Sequence, residues 1–418
     1  MAEQGLSFLG AAAGSANRQR HIVLLGLTAS SSLGLAASTI YVPAIPTIAQ
    51  ALDTSVARVQ LTFVGYLLAF AVGMLAWGPV SDRLGRRPAL IFGLIVSGIA
   101  SLGCAVSPTI ELLIAGRTLQ GFGTCAGFVV GRAMTRDLWG TEGAARALAG
   151  LGIAATLTQA AAPVLGGYVT VGVGWRANFV IIALFACLAV LLILWTVPGR
   201  IAASADRGPV GSVFTAYSQL LSTRRFVGYA LAAAGAHAGF HVFAAGAPAV
   251  LIGRFGLTPQ EYGFYAALPP LGFILGSLMT SRLTQRYGIN GAIRIGAAVL
   301  VPAGLAMMAL AIGQILSPLA VVGPMIFVCC GSGLITPNAA AGGIGMAPRV
   351  VGAASGLLSF VQMTGAAAAT AALSLDPSGS PQVLAFVVAL VGMFCVASFG
   401  TLQPWRTGAK ADTARAPV

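Results

Sequence analysis

Charge is what this chain has least of. Only 8% of its 418 residues are Asp, Glu, Lys or Arg, and just 10 are acidic. Histidine is scarcer still, with 3 copies. There is no Gly-x4-Gly-Lys-Ser/Thr phosphate loop and no soluble stretch large enough to hold a nucleotide domain, which excludes a primary pump. The 6 cysteines (Cys104, Cys125, Cys187, Cys329, Cys330 and Cys395) show no metal-ligand spacing and read as small packing residues. No paired acids stand with a histidine, and no nucleophilic serine stands with a base, so a lipid-modifying membrane enzyme is disfavoured. The first 20 residues lack the basic, apolar and small-residue blocks of a cleavable secretory signal, so the first span is expected to stay as a signal-anchor.

What remains is apolar. Hydrophobic residues make up 57% of the chain and mean hydropathy is +0.90, far above a soluble domain. A spanning helix needs about 20 apolar residues. Twelve such segments lie near 22–43, 59–80, 89–108, 111–134, 147–171, 177–197, 226–249, 262–281, 292–313, 318–341, 352–374 and 382–402. Barrel strands, at about 10 alternating residues each, do not fit these continuous runs. The net charge of +13 is a matter of topology rather than nucleic-acid binding. With the N-terminus inside, the inner face collects 19 of the 23 basic residues, from Arg18 and Arg20 to Arg406, Lys410 and Arg415. Both termini are therefore expected in the cytoplasm, in contact with anionic lipid.

Against this background the turn Gly78-Pro-Val-Ser-Asp82-Arg83-Leu-Gly85-Arg86-Arg87 stands out. Scarce charges concentrated between two spans suggest a latch, with arginines able to pair with a carboxylate, a helix C-terminus or lipid phosphate. Topology signalling alone would account for the arginines but not for Gly78, Gly85 or Asp82. The longest polar interval, 199–225, divides the chain into a tail (1–21), a bundle (22–198), a linker, a second bundle (226–402) and a second tail (403–418). Gly276 to Arg282, with Arg286 and Gly288, echoes the charged turn at the matching place in the second half. Two such halves, with a substrate between them near the midplane, make a rocking transporter.

Further motifs narrow the comparison. Tyr41-Val-Pro43-Ala-Ile-Pro46 ends span one, and Gln60-Leu-Thr-Phe-Val-Gly-Tyr66 opens span two. Gly116-Arg117-Thr-Leu-Gln120-Gly121 and Arg132-Ala-Met-Thr-Arg136-Asp137 lie in span four, Pro337-Asn338 in span ten and Gly352 to Gln362 in span eleven. In this order the motifs resemble the Bcr/CflA branch of the major facilitator superfamily over the whole chain. The resemblance implies an all-α polytopic membrane protein of 12 helices in two pseudo-symmetric six-helix bundles. It further implies a monomeric bacterial inner-membrane exporter of drugs such as chloramphenicol, working without cofactor or metal on the proton gradient.

By the same resemblance Gly78, Asp82, Arg83, Gly85, Arg86 and Arg87 form the latch, with Asp137 as partner of one arginine. Arg117 and Gln120 are given a role in proton coupling, although a structural bond from Arg117 to backbone carbonyls is the alternative. Pro163, Gly166 and Gly167 match an exporter motif in span five, with Thr158 and Ala162 departing from its earlier glycines. That departure leaves a metabolite exporter or an uptake carrier as the second reading.

The family's acid in span one is replaced by Thr39, and no acidic residue occupies the middle third of any span. His237 and His241, one helical turn apart in span seven, are candidates for the proton carrier because imidazole titrates near neutral pH. The plain alternative is that they are hydrogen-bonded within the bundle. Tyr41, Tyr66, Phe70, Phe240, Phe243, Tyr265, Asn338 and Gln362 are candidates to line the substrate cavity. A cavity without a carboxylate favours neutral, zwitterionic or anionic substrates.

Overall fold

A computed structural model describes residues 22–197, 210–348, 350–376 and 379–402. Both predicted tails, much of the linker, and the basic residues Arg18, Arg20, Arg200, Arg207, Arg349, Arg406, Lys410 and Arg415 lie outside the described residues. Every regular element among the described residues is helical.

The chain runs as α1 (22–39), a 3-10 turn (Val42–Ala44), α2 (Ile45–Ala51), α3 (Val56–Leu84), α4 (Arg86–Ala105), α5 (Ile110–Gly172) and α6 (Trp175–Thr196). It continues as α7 (Val210–Ser222), α8 (Arg224–Leu251), α9 (Pro259–Ile312), α10 (Pro318–Gly345), α11 (Val351–Leu373) and α12 (Pro381–Leu402).

Local chemistry sets several of these boundaries. The hydroxyls of Ser55, Thr109 and Ser317 accept from backbone amides three residues on, capping α3, α5 and α10. Thr258 and Glu261 form a reciprocal capping box at the head of α9, with Pro259 in the first turn. Gly85, at φ +91°, turns the chain from α3 into α4, a backbone conformation costly for any residue with a Cβ.

Ten helices among the described residues are long and apolar enough to cross a membrane. One of them, α9, spans 54 residues and breaks at Gly288, φ +71°, into two crossings. At about 1.5 Å per residue, the 63 residues of α5 would reach about 95 Å, far beyond the bilayer core of about 30 Å. Instead it doubles back: Arg117 donates to the Ala37 carbonyl, while Gly166 lies against the Ile40 carbonyl of the same α1 end. Twelve crossings result, six on either side of α7. Each half joins its second and third crossings through a positive-φ glycine, Gly85 or Gly288.

The outer surface suits hydrocarbon. Large apolar side chains such as Phe92, Ile99, Leu184, Trp195 and Phe327 are exposed all round the bundle. In water this would be a liability; in lipid it needs no cover. The bundle has two ends, the Arg86 face and the Glu111 face.

Candidate functional site

The charged turn forms a compact network. Arg86 pairs with Asp82 at 2.5 Å and with Asp137 on α5 at 3.1 Å, and donates to the Ser81 hydroxyl at 2.6 Å. Its side chain is only 11% exposed. Arg87 donates to the Leu194 carbonyl at 2.8 Å, near the end of α6, where the helix dipole favours a cation. Arg83 is exposed, and a Cβ on Gly78 would meet nothing within 4 Å. One arginine thus ties α3, α4 and α5 together, with Asp137 as the distant carboxylate.

Arg117 is completely buried in α5. Its guanidinium lies 4.1 Å from the ring centre of Tyr41 and 4.4 Å from that of Tyr66. It donates to the Ala37 carbonyl at 2.8 Å and to Gln120 Oε1, while Gln120 donates to Ser101 Oγ at 2.6 Å. Its Nε and Nη2 have no partner among the described residues. Among the described residues no carboxylate meets it; Glu111 pairs instead with exposed Arg58 at 2.6 Å. A charge held by two aromatic faces and a carbonyl is stabilised by polarity without being neutralised. The tyrosine hydroxyls point away from it: Tyr41 shares a hydrogen bond with Thr62, and Tyr66 donates to the Gly34 carbonyl.

His237 and His241 lie one turn apart on α8, their rings tilted against each other with centres 4.6 Å apart. His241 Nδ1 lies 3.2 Å from the His237 carbonyl, and His237 Nε2 is buried without a partner among the described residues. His241 also faces Phe63 of α3 across the division between the halves, ring centres 6.0 Å apart. One turn along, Gln60 donates to the Ala245 carbonyl at 3.2 Å. The histidines therefore lie on the helix that meets the other half. Among the described residues no three His, Cys, Asp or Glu groups converge as a metal site.

On the Glu111 face the halves touch through backbone. A Cβ on Gly167 would lie 2.2 Å from the Pro259 carbonyl, and one on Gly263 would lie 2.7 Å from the Pro163 carbonyl. Only glycine permits α5 and α9 to approach so closely. Just inside this seal, Thr39, Val42, Pro163, Phe240, Phe243, Ala244, Tyr262 and Ala266 enclose about 10 Å³. That is room for one water at most, so the space is closed in this conformation. On the Arg86 face a larger cavity of about 330 Å³ lies between α3, the first half of α5, α7 and α11.

The eight residues expected to line one cavity are distributed. Phe240 and Phe243 line the small closed space. Tyr41, Tyr66 and Phe70 are buried within the first half, the tyrosines turned on Arg117 and Phe70 stacked on Tyr66 and edge-on to Phe128. Asn338 accepts from Thr284 at 2.7 Å and donates to the Leu334 carbonyl, which ties α9 to α10. Tyr265 is half-buried and Gln362 is buried in α11. None of the eight lines the larger cavity.

Residues that sequence reading passed over are Tyr262 and Phe63, both buried where the halves meet. The signal available for Phe63 was its place one turn from Gln60. Tyr262 carries none beyond the Thr258-Glu261 cap beside it.

Two facing six-helix halves, touching through glycines on the Glu111 face, with an arginine network tying α3, α4 and α5 of the first half on the Arg86 face, have the architecture of a carrier. The sequence pattern of the Major Facilitator Superfamily matches residues 27–370. The chain belongs to that family and, within it, to the Bcr/CflA branch of drug-efflux transporters.

It is 27% identical over 325 residues to the bicyclomycin resistance protein homolog of Haemophilus influenzae, covering 77% of this chain and 81% of that one. It is 30% identical over 324 residues to a chloramphenicol resistance protein of Pseudomonas aeruginosa, covering 74% and 73%. The crystal structure of a D-xylose-proton symporter superposes with a TM-score of 0.73 at 13% identity, over 92% of this chain and 98% of that one, a likeness of fold alone.

Proposed function

We propose that this carrier exports small, mostly neutral drugs or metabolites from a bacterial cell by alternating access, in exchange for protons. The observation that carries the substrate class is the likeness to the bicyclomycin and chloramphenicol resistance proteins. The close approach of Gly167 and Gly263 to the facing backbone supports a cycle in which the Glu111 face opens and reseals. In this reading the Arg86 face is cytoplasmic, both termini lie on that side of the inner membrane, and the bundles are 22–198 and 226–402 around the linker 199–225. The carrier acts as a monomer and draws only on the proton gradient.

His237 or His241 carries the coupling proton. They stand at the division between the halves with Phe63 and Phe240 as ring neighbours, and Thr39 occupies the place of the family's acid. Arg117 and Gln120 act in the same relay by holding α1, α4 and α5 in register through Ala37 and Ser101. Phe240, Phe243, Tyr265 and Gln362 present the apolar and polar surface met by substrate as the closed space opens, and Tyr41, Tyr66, Phe70 and Asn338 support it.

The deciding experiment is efflux from proteoliposomes of chloramphenicol-type and bicyclic neutral drugs, with and without an imposed pH gradient. Gradient-dependent efflux is expected. No transport of either drug overturns the substrate class, and transport indifferent to the gradient overturns proton exchange.

A further inference from the structure

The cavity on the Arg86 face holds positive charge that the latch does not use. Arg132 and Arg136 lie one helical turn apart on α5 and both line it. Like charges at this spacing repel each other. Neither forms an ion pair among the described residues; Arg132 rests on the ring of Phe128, 3.6 Å from its centre. Asp82, the one carboxylate in the lining, is engaged by Arg86, as is Asp137 nearby.

The opposite wall belongs to the other half. Ser355 and Ser359, also one turn apart, face the cavity from the first turns of α11. The head of that helix has no side-chain cap, so its first amides and the positive end of its dipole are open to a ligand. Tyr217 of α7 completes the lining. Two guanidiniums from one half therefore oppose two hydroxyls and a helix head from the other, across about 330 Å³. Each of these groups stabilises an anion.

We propose that this cavity binds an anionic group, a carboxylate or a phosphate, held by Arg132 and Arg136 on one half and by Ser355, Ser359 and the head of α11 on the other. The group belongs either to a soluble ion or to the headgroup of an anionic lipid. Because the ligand spans the two halves, it favours the conformation in which α3 and α11 meet, where Gly356 approaches the Met74 carbonyl. The proposal concerns a second site, and stands or falls separately from the drug and the proton.

The test uses the full chain in nanodiscs of phosphatidylcholine, with thermal unfolding followed as inorganic phosphate is titrated against sodium chloride at constant ionic strength. A saturable rise in Tm is expected, with the apparent affinity weakened at least tenfold in R132Q/R136Q. Should that variant fail to fold, S355A/S359A is expected to weaken it several-fold. A parallel series incorporates phosphatidylglycerol. If lipid is the source, Tm rises with that lipid, phosphate adds nothing, and the same variants lose the rise. No response to either anion, or a response equal in wild type and variants, overturns the proposal.

Discussion

Arg117 is buried in the hydrocarbon region with two ring faces, a carbonyl and a glutamine around it, and no acid beside it among the described residues. Arg117→Lys retains the charge but loses the flat group that fits between Tyr41 and Tyr66. With each stack worth about 1 kcal/mol and about 1.4 kcal/mol per decade, initial efflux should fall at least about tenfold. Equal rates in the two forms would mean that charge alone suffices. For the histidines, His237→Gln with His241→Gln should leave drug binding intact and abolish the response of efflux to a pH gradient. Efflux by this double variant that still follows the gradient fully would remove both histidines as carriers. These residues were legible because ionisable groups are so rare here that each one inside a span draws notice. The orientation of Tyr41 and Tyr66 was not legible, since an aromatic residue on a membrane helix serves equally against a cavity, lipid or a buried guanidinium.

Among the elements, the contact of α5 with α9 depends most on residue size. Gly167→Leu would place a side chain where a Cβ already comes within 2.2 Å of the Pro259 carbonyl. The Glu111 face should then fail to reseal. Spin labels on α5 and α9 are expected to report a longer distance across that face, with efflux reduced at least tenfold; an unchanged distance would show that the contact yields. The Arg86 network is more forgiving. Asp137→Asn leaves Arg86 its pair with Asp82, and a partly exposed ion pair is worth about 1 kcal/mol or less. Its thermal stability should change little while the efflux rate drops several-fold; a large fall in Tm would instead assign Asp137 a structural role. Hydropathy located the spans to within a few residues because twenty apolar residues in lipid have one stable form. The linker helix α7 escaped the sequence reading, as polar 199–225 had no such constraint. So did the pairing of Pro163 with Gly263, since the two lie far apart in sequence and nothing local marks them as neighbours.

At the scale of the whole molecule, the small space between the halves is lined by threonine, proline, phenylalanines and a tyrosine, with no acid among its lining residues. A permanently charged quaternary amine should therefore be a poor substrate beside a neutral drug of similar size, by at least tenfold in initial rate. Comparable efflux of the two in proteoliposomes would contradict this. The seam between the halves and the joint within the first half are also made of different materials. On the Glu111 face, backbone meets backbone with glycine on either side, a dry contact to which dissolved ions have little access. On the Arg86 face, Arg86, Asp82 and Asp137 join three helices of the first half and stand partly in water, where the screening length is about 8 Å at physiological ionic strength. Raising the salt concentration should consequently loosen the joint among α3, α4 and α5 and leave the glycine contact between the halves as it was. Salinity thus acts on the stiffness of one half rather than on the seam between the two, so that rates measured in different buffers compare the same seam carried by bundles of unequal rigidity.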